Sequence, residues 1–235
     1  MTRLTVAEGA EAAARRTADV MANHINDARV RGLAVHIALA GGSSPARAYE
    51  LLADMQGRWS HVHLWLGDER CVPADDPEAN ARMVDDSLLR HLRAEKGPHL
   101  HTVAGELGPE DAAWLYAVEL SRAMGEQPTF DLVLLGLGED GHTASLFPGH
   151  PEADAAHAPV IGVRGAPKPP AERVTLTLPV LAAARFTVLL AVGAGKAEAL
   201  ARVRAGDRDV PAGRLGPALD EIICDPAAAG GAGDG

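Results

Sequence analysis

Asp140 and His142 are the two residues of this sequence best suited to acid–base chemistry, and only Gly141 separates them. They follow Leu132 to Leu135, a short apolar run that is typical of a buried strand. In an open α/β sheet, ligands bind just beyond the carboxyl ends of the strands. A histidine beside a carboxylate at such a place is a candidate general base. The alternative is a loop histidine that only caps or fills a turn.

The same stretch contains a Gly-x-Gly-x-x-Gly motif at residues 136–141, which matches the fingerprint of dinucleotide-binding proteins. That fingerprint needs a second strand with an acidic residue, but here Glu152 and Asp154 lie in a loop rich in Pro, Ala and His. It also opens a long helix, whereas Thr143 is expected to cap a short helical turn that Pro148 ends. We therefore expect no cofactor.

A glycine-rich turn with two hydroxyl side chains follows the apolar run at 33–40. The turn consists of Gly41, Gly42, Ser43, Ser44 and Pro45. Ser44 is a good N-cap and Pro45 suits the first helical position, so a helix is predicted over 45–54. Free backbone N–H groups and the helix dipole would then face a phosphate or a carboxylate. The alternative is a plain capped turn, but such a turn needs only one glycine.

Two further strand ends carry basic residues. Lys196 stands at the start of a helix, after a glycine-rich turn that follows the apolar run 186–192, and this position suits a phosphate. Arg70 lies in a loop just after another predicted strand and can bind a phosphate or carboxylate through two parallel hydrogen bonds. The alternative is an ion pair of Arg70 with Asp68 or Glu69 that holds the loop.

Two His-x-His pairs raise the question of a metal site: His61 with His63, and His99 with His101. Neither pair is accompanied by a cluster of cysteines or carboxylates at ligand spacing. We expect these histidines to face solvent on their strands, with His61 and His63 on the same face as Trp65. No metal is predicted.

Predicted strands and helices alternate along the chain. The helices are expected over 10–30, 45–54, 81–92 and 109–124, after Pro179, and from about Lys196 to Arg204; the strands over 33–40, 61–66, 100–103, 132–135, 160–163, 173–178, 186–192 and 222–224. This repeated β–α alternation predicts an α/β fold with a doubly wound, mostly parallel sheet. A small antiparallel β addition is also expected. Four strand ends then meet at one rim, which suits a small phosphorylated metabolite better than a macromolecule.

Composition narrows the partners and the compartment. The chain of 235 residues has a net charge of −10 and no basic run, which argues against nucleic acid and against an anionic membrane. Its only cysteines, Cys71 and Cys224, do not suggest a disulfide framework, so we expect a cytoplasmic protein. We expect no signal peptide and no membrane span. One domain is predicted over 1–226 with a flexible tail over 227–235, as a monomer or weak homo-oligomer.

Five stretches of the sequence resemble the 6-phosphogluconolactonases. They are Ala40-Gly-Gly-Ser-Ser-Pro45, Trp65-Leu-Gly-Asp-Glu-Arg-Cys-Val-Pro73 with Asn80 and Arg82-Met83, Gly136 to Gly149, Pro167-Lys-Pro-Pro-Ala-Glu-Arg-Val-Thr-Leu-Thr177, and Gly193-Ala-Gly-Lys196. The similarity covers about Leu33 to Lys196, and its most specific part is the Gly-His-Thr-Ala-Ser-Leu-Phe-Pro run. The resemblance implies a Rossmann-like fold akin to glucosamine-6-phosphate deaminase. It also implies hydrolysis of 6-phospho-glucono-1,5-lactone in the oxidative pentose phosphate pathway, without a cofactor.

For a lactone, which is an activated ester, His142 is assigned as the base that takes a proton from water and returns it to the leaving ring oxygen. Asp140 would orient the imidazole or stabilise its charged form. Arg70 would stabilise the oxyanion or grip the phosphate, and both roles stay open. The predicted substrate-binding residues are Gly42, Ser43, Ser44, Asp68, Arg173 and Lys196. The chain has no Gly-x-Ser-x-Gly elbow, so direct attack by water is expected rather than an acyl-enzyme.

Two other functions remain as alternatives. A sugar-phosphate deaminase/isomerase would look alike up to Gly-His, but it would then differ from the Thr143 to Pro148 run found here. A non-catalytic sugar-phosphate sensor would usually carry a DNA-binding module, and none is visible in the sequence. The stretch Pro211-Ala-Gly-Arg-Leu-Gly216 departs from the family's more usual Pro-Ala-Ser, which affects only a local contact near the site.

Overall fold

The computed structural model describes residues 2–92 and 97–231, and within them the chain forms ten β-strands and seven α-helices. The strands are β1 (Arg3–Val6), β2 (Val35–Leu39), β3 (Val62–Leu66), β4 (Asp68–Arg70), β5 (His99–His101), β6 (Leu132–Gly136), β7 (Val160–Val163), β8 (Arg173–Leu176), β9 (Thr187–Ala191) and β10 (Glu221–Cys224). The helices are α1 (Ala10–Arg31), α2 (Ser43–Met55), α3 (Asn80–Ser87), α4 (Pro109–Met124), α5 (Leu178–Ala182), α6 (Ala197–Arg204) and α7 (Pro211–Arg214).

Seven strands form one wholly parallel sheet in the order β1-β10-β9-β6-β2-β3-β5. The chain runs outward from β2 through β3 to β5 on one side, and from β6 through β9 to β10 on the other. The neighbouring strands β2 and β6 therefore mark the topological switch point. The loops that follow these two strands diverge there and leave a crevice at the carboxyl edge of the sheet.

Helices cover both faces of this sheet, because successive strand residues point to opposite faces. Ile37 of β2 and Leu134 of β6 belong to the core formed with α1, α2 and α3. Their neighbours Ala38 and Leu135 belong to the core formed with α4, α5 and α6. Strands buried on both sides need continuous apolar runs, which is why β6 could be recognised in the sequence. The predicted doubly wound architecture is confirmed.

Helix α4 has the predicted bounds, and its side chains contact both the edge strand β5 and the end of β3. The Tyr116 hydroxyl accepts the N–H of Leu66 at 2.7 Å and donates to its carbonyl at 3.2 Å. Glu119, three residues later on the same side of the helix, lies 2.5 Å from Nδ1 of His101 in β5. Helix α4 thus fixes the position of the end of β3, from which the chain continues to Asp68.

The small antiparallel sheet has the order β4-β8-β7. Asp68 of β4 is opposite Thr175 of β8, and Arg70 is opposite Arg173. Residues Asp68 to Arg70 were predicted to lie in a loop, and that prediction was wrong. These residues form a strand because β8, about a hundred positions later in the chain, supplies the hydrogen-bonding partner.

Other boundaries differ from the sequence prediction. Strand β1 was not predicted, because its four residues carry no clear apolar pattern and only pairing with β10 makes them a strand. Helix α7 was also missed. Helix α3 ends at Ser87 rather than Leu92, and the chain continues as a short 3-10 turn over Leu89–His91.

In the part of the predicted tail that is described, residues 227–231, Ala228 is buried and its N–H binds Oδ1 of Asp225 at 2.9 Å. Residues 232–235 lie outside the described residues.

None of the helices in residues 2–92 and 97–231 has the length and hydropathy that crossing a bilayer requires.

Candidate active site

A cavity of about 280 Å³ opens at the switch point between β2 and β6. The predicted site residues that line it are Gly42, Ser43, Ser44, Asp68, Arg70, His142, Arg173 and Lys196. Asp140 stands beside His142 and is hydrogen-bonded to it. The structure thus brings together all of the catalytic and substrate-binding residues that were predicted, from five different strand ends and loops.

The imidazole of His142 is oriented by Asp140. Nδ1 of His142 lies 2.5 Å from Oδ1 of Asp140, and the same oxygen accepts the backbone N–H of His142 at 3.1 Å. A carboxylate only accepts hydrogen bonds, so Nδ1 carries the proton and Nε2 holds a free lone pair. The ring packs against Phe147, with 4.8 Å between the ring centroids. His142 is therefore fixed in the tautomer that a base needs.

The pKa values of this pair are set by burial and by their mutual contact. Burial lowers the pKa of His142 below its ordinary value of 6.5, although the charge of Asp140 opposes this. Burial acts to raise the pKa of Asp140, but the backbone N–H and the ring of His142 outweigh it, so that pKa is lowered. At neutral pH the pair is a neutral imidazole beside a charged carboxylate.

Two glycines allow this arrangement. Gly141 has a φ of 87°, in the left-handed region that favours glycine. A Cβ at Gly138 would overlap Nδ1 of His142 and would lie 2.5 Å from Oδ1 of Asp140. The imidazole can lie over the backbone at position 138 only because no side chain is there.

The residues after His142 form a tight turn, not the helical turn that was predicted. Ala144 has a φ of 48°, a left-handed conformation that a right-handed helix cannot include. Thr143 and Leu146 form an isolated β-bridge, and the hydroxyl of Thr143 donates to the carbonyl of Gly136 at 2.9 Å instead of capping a helix. The turn directs Ser145 into the interior, where it is fully buried.

The N-terminus of α2 opens into the cavity. The helix begins at Ser43, two residues before the predicted start, because Gly42 with a φ of 110° is the last non-helical residue. Pro45 is therefore the third helical residue, and Ser44 is not the N-cap. No side chain of the described residues caps this helix, so the N–H groups of its first turn can bind an anion in the cavity.

Asn80 connects the glycine turn to β4, and it was not predicted as a site residue. Its Nδ2 donates to the backbone carbonyl of Asp68 at 2.8 Å and to the Asp68 carboxylate at 3.3 Å. A Cβ at Gly41 would overlap the Asn80 side chain, so Gly41 must be glycine for the two walls to meet. The buried carboxylate of Glu69 accepts the N–H groups of Asn80 and Ala81, which fixes the start of α3. The only sequence signal for Asn80 was its place in the motif that resembles the 6-phosphogluconolactonases.

Asp68 and Arg173 face each other across Ser145. The Ser145 hydroxyl donates to Oδ2 of Asp68 at 2.6 Å, and Nη1 of Arg173 donates to the same hydroxyl at 3.4 Å. The closest atoms of Asp68 and Arg173 are 4.0 Å apart, and all three side chains are buried. Burial lowers the pKa of Arg173, and the charge of Asp68 opposes that shift. The other donors of Arg173 bind the carbonyls of Lys168, Pro169 and Pro170.

Arg70 faces the cavity without the ion pair considered as an alternative. Within the described residues, the carboxylate of Glu69 accepts the backbone N–H of Arg70 at 2.8 Å rather than its guanidinium. Nη1 of Arg70 donates to the carbonyl of Glu78, and its Nε is buried with no partner among the described residues. No carboxylate of residues 2–92 and 97–231 therefore neutralises the guanidinium charge by direct contact.

Two lysines complete the cationic wall of the cavity. Lys196 lines it from the turn just before α6, and the start of that turn is held by Asp225, which accepts the N–H of Gly193 at 3.0 Å. Lys168 also lines the cavity and was missed as a site residue. The sequence offered one signal for it, since it lies in the same family-like motif as Arg173. The cavity is positively charged in a chain whose net charge is −10.

The two His-x-His pairs lie away from the cavity, and their predicted exposure was partly wrong. His61 precedes β3 and its Nε2 contacts the carbonyl of Ile25 in α1, so it does not share a face with His63 and Trp65. His101 is buried because α4 covers that face, and its Nε2 lies 3.0 Å from Nδ1 of His63. In the described part of the chain, no group of three His, Cys, Asp or Glu side chains is arranged to hold a metal ion.

Comparison with known proteins relates this site to a family. The profile of the family described as glucosamine-6-phosphate isomerases/6-phosphogluconolactonase matches residues 8–224. The chain belongs to this family. A 6-phosphogluconolactonase of Streptomyces coelicolor is 39% identical over 94% of this chain and 89% of its own length. The solved 6-phosphogluconolactonase of Trypanosoma brucei has a TM-score of 0.82 at 26% identity, covering 98% of both chains.

Membership of the glucosamine-6-phosphate isomerase/6-phosphogluconolactonase family confirms the resemblance stated from the sequence and makes the chain an enzyme. A monomeric glucosamine-6-phosphate deaminase shares the fold, with a TM-score of 0.78 at 20% identity over 97% of this chain and 99% of its own. The predicted fold class, a Rossmann-like parallel sheet with a small antiparallel addition, is likewise confirmed.

Proposed function

We propose that this enzyme hydrolyses 6-phospho-D-glucono-1,5-lactone to 6-phospho-D-gluconate in the oxidative pentose phosphate pathway. The observation that carries the proposal is one cavity with two chemical halves. One half is the neutral, carboxylate-oriented imidazole of His142, which suits activation of water. The other is a wall of cationic side chains and a helix N-terminus, which suits a phosphate. A relative that aligns with this chain over 89% of its own length is named 6-phosphogluconolactonase, which supports this lactone hydrolase activity.

In the proposed mechanism His142 moves one proton twice. Nε2 takes a proton from water as the water oxygen bonds to the lactone carbonyl carbon, and the carbonyl becomes an oxyanion. The bond between that carbon and the ring oxygen then breaks, and the imidazolium returns the proton to the ring oxygen, which becomes a hydroxyl. Asp140 holds the tautomer and stabilises the imidazolium between these steps. Water attacks directly, with no acyl-enzyme.

The charged groups divide between phosphate and oxyanion. The backbone at Gly42, Ser43 and Ser44 is proposed to hold the phosphate together with Arg173 and Lys196, since a dianion needs several charge-assisted hydrogen bonds. The carboxylate of Asp68 accepts hydrogen bonds from the Ser145 hydroxyl and from Nδ2 of Asn80. Because Arg173 contacts the same hydroxyl, Asp68 helps to position both Arg173 and Asn80 around the cavity. Arg70 adds positive charge that acts on the phosphate or on the oxyanion.

The substrate is proposed to be the only partner, a small phosphorylated lactone, acted on by a monomer or weak homo-oligomer. We place the enzyme in the cytoplasm. Both Cys71 and Cys224 are free thiols in the described structure, in keeping with a reducing compartment.

A proton-release assay with freshly prepared 6-phosphogluconolactone tests the proposal, after correction for spontaneous hydrolysis. The wild-type rate should exceed the spontaneous rate by orders of magnitude. His142→Ala should keep the fold and lose about 10²–10⁴-fold in kcat, the usual contribution of a general base. Glucosamine 6-phosphate, offered to the same preparation, should release no ammonia. A wild-type rate equal to the spontaneous one, or ammonia release, would overturn the proposal.

A further inference from the structure

We infer that Ser145 is a positioning residue, which holds the carboxylate of Asp68 away from Arg173 and so keeps the charge of Arg173 available to an anion in the cavity. The inference deepens the proposed function and rests on it. It concerns a buried hydroxyl that neither the acid–base pair nor the sheet hydrogen bonds account for.

The single proton of the Ser145 hydroxyl is committed to Asp68. The bond to Oδ2 is 2.6 Å, short for a neutral donor and typical of a charged acceptor. The lone pairs of the same oxygen then face Nη1 of Arg173 at 3.4 Å. One hydroxyl therefore lies between a buried anion and a buried cation and satisfies each of them.

Without such a group the two ions would meet. Their closest atoms are 4.0 Å apart, which is beyond a hydrogen bond, although opposite charges in a buried site attract strongly. Arg173 is instead held by neutral groups, the Ser145 hydroxyl and the backbone carbonyls of residues 168–170. A guanidinium bound by neutral acceptors keeps its net charge, whereas a bidentate pair with Asp68 would neutralise it.

The backbone around Ser145 is built to deliver this hydroxyl. The left-handed Ala144 turns the chain inward, and the N–H of Ser145 donates to Oγ1 of Thr175 at 3.3 Å. Thr175 is the residue paired with Asp68 across β4 and β8. Ser145 thus enters from the loop of His142 and docks on the two strands that carry Asp68 and Arg173. It links the base-bearing loop to the anion-binding wall.

Removal of the hydroxyl should have a specific result. In Ser145→Ala, Oδ2 of Asp68 loses its short hydrogen bond, and Arg173 is the cation in position to replace it. The direct pair would withdraw positive charge from the cavity. We expect the affinity for 6-phosphogluconate to fall about tenfold or more, the usual effect of losing a charge-assisted contact. kcat/KM for unphosphorylated glucono-1,5-lactone should stay within about threefold of wild type, since no phosphate is involved.

A double-mutant cycle separates positioning from a merely structural role. Calorimetry with 6-phosphogluconate is carried out on the wild type, S145A, D68N and the D68N/S145A double variant. In the D68N background the carboxylate of residue 68 no longer competes for Arg173, so adding S145A should change the affinity by less than about twofold. An unchanged affinity in S145A, or an equal loss in both backgrounds, would overturn the inference.

A second variant and the wild type itself serve as controls. If S145A does not fold, Ser145→Cys replaces it, since a thiol fills a similar volume but is a weak donor, and the same loss of affinity is expected. A wild type that neither hydrolyses the lactone nor binds 6-phosphogluconate would remove the proposed function itself. A wild type that does both, with S145A or S145C unaltered, would remove only the role of Ser145.

Discussion

Gly138 determines whether the imidazole of His142 can occupy its place. Any side chain there would overlap Nδ1 of His142 and crowd the Asp140 carboxylate. We expect Gly138→Ala to lower kcat by about 10²–10⁴-fold, because the base is displaced, while the melting temperature changes little. Gly57→Ala is the matched control, since a Cβ at Gly57 meets nothing within 4 Å. Wild-type kcat in a folded Gly138→Ala enzyme would contradict the assignment of the base.

The pH dependence of kcat/KM should follow the same imidazole. Burial lowers the pKa of His142, so the base stays neutral down to a pH below its ordinary 6.5, and kcat/KM should fall only under that value. Asp140 opposes this shift, so in Asp140→Asn the pKa should drop further and the acid limb should move to lower pH. kcat should also fall, because the imidazolium loses its charged partner. An acid limb that does not move in Asp140→Asn would argue against this pairing.

At the scale of the elements, α2 and α6 present their N-terminal ends to one cavity. Lys196→Ala should raise KM for the phosphorylated lactone by one or two orders of magnitude, since a charged hydrogen bond contributes about 1.5–3 kcal/mol. The slow turnover of unphosphorylated gluconolactone should hardly change. Arg204→Ala, an exposed cation at the other end of α6, is the control and should leave both KM values alone. Equal losses on both substrates would exclude a phosphate role for Lys196.

A histidine cluster crosses three neighbouring strands of the parallel sheet, from β2 through β3 to the edge strand β5. His36 is paired in register with His63, and His63 lies 3.0 Å from His101, which contacts Glu119. Trp65 donates to Nδ1 of His36 at 3.1 Å, which requires that nitrogen to be unprotonated. The contacts of this cluster therefore suit neutral imidazoles.

The cluster predicts a loss of stability in acid. Burial is the main cause that lowers the pKa of His63, to about 4, and it also lowers those of His36 and His101 against the opposing charges of Asp131 and Glu119. The unfolded chain, with histidine pKa values of about 6.5, binds more protons, so stability should fall as the pH drops from about 6.5 towards 4.

Urea unfolding at several pH values in that window tests the prediction. His63→Gln removes one buried titrating group, so the free energy of unfolding should depend less steeply on pH than in the wild type. His157→Gln, at an exposed position, is the control and should keep the wild-type slope. An identical slope in His63→Gln would contradict the role of the cluster.

For the enzyme as a whole, we predict activity that depends on neither a metal ion nor a nicotinamide cofactor. Lactone hydrolysis transfers no hydride, and an ester carbonyl is reactive enough for a histidine base. We expect full activity after exhaustive dialysis against EDTA, and no binding of NAD(P) at millimolar concentration by calorimetry. Activity that is lost to chelation and restored by Zn²⁺ would contradict the metal-free mechanism. Saturable NAD(P) binding in competition with the substrate would favour a dehydrogenase.

The sequence was sufficient to predict which residues approach one another where the local pattern and the topology coincide. Asp140 and His142 follow a buried apolar run, and parallel strands place such ends at one edge, so their approach to the other strand ends could be predicted. Ser145 could not be recognised, because its role depends on the pairing of Asp68 with Thr175, residues far apart in the chain. The burial of His101 was missed for a similar reason, since strand alternation does not reveal that α4 covers that face.

The position of β1 has a consequence for how the sheet is completed during synthesis. In the described sheet β1 pairs with β10 alone, so the earliest of these strands to be made has its partner among the latest. Until Glu221 to Cys224 have left the ribosome, β1 has nothing to pair with, although domains begin to fold as they emerge. Its partly exposed Leu4 and Val6 must wait while the strands at the switch point associate. We therefore expect the sheet to grow outward from β2 and β6, with the N-terminal segment as its final addition.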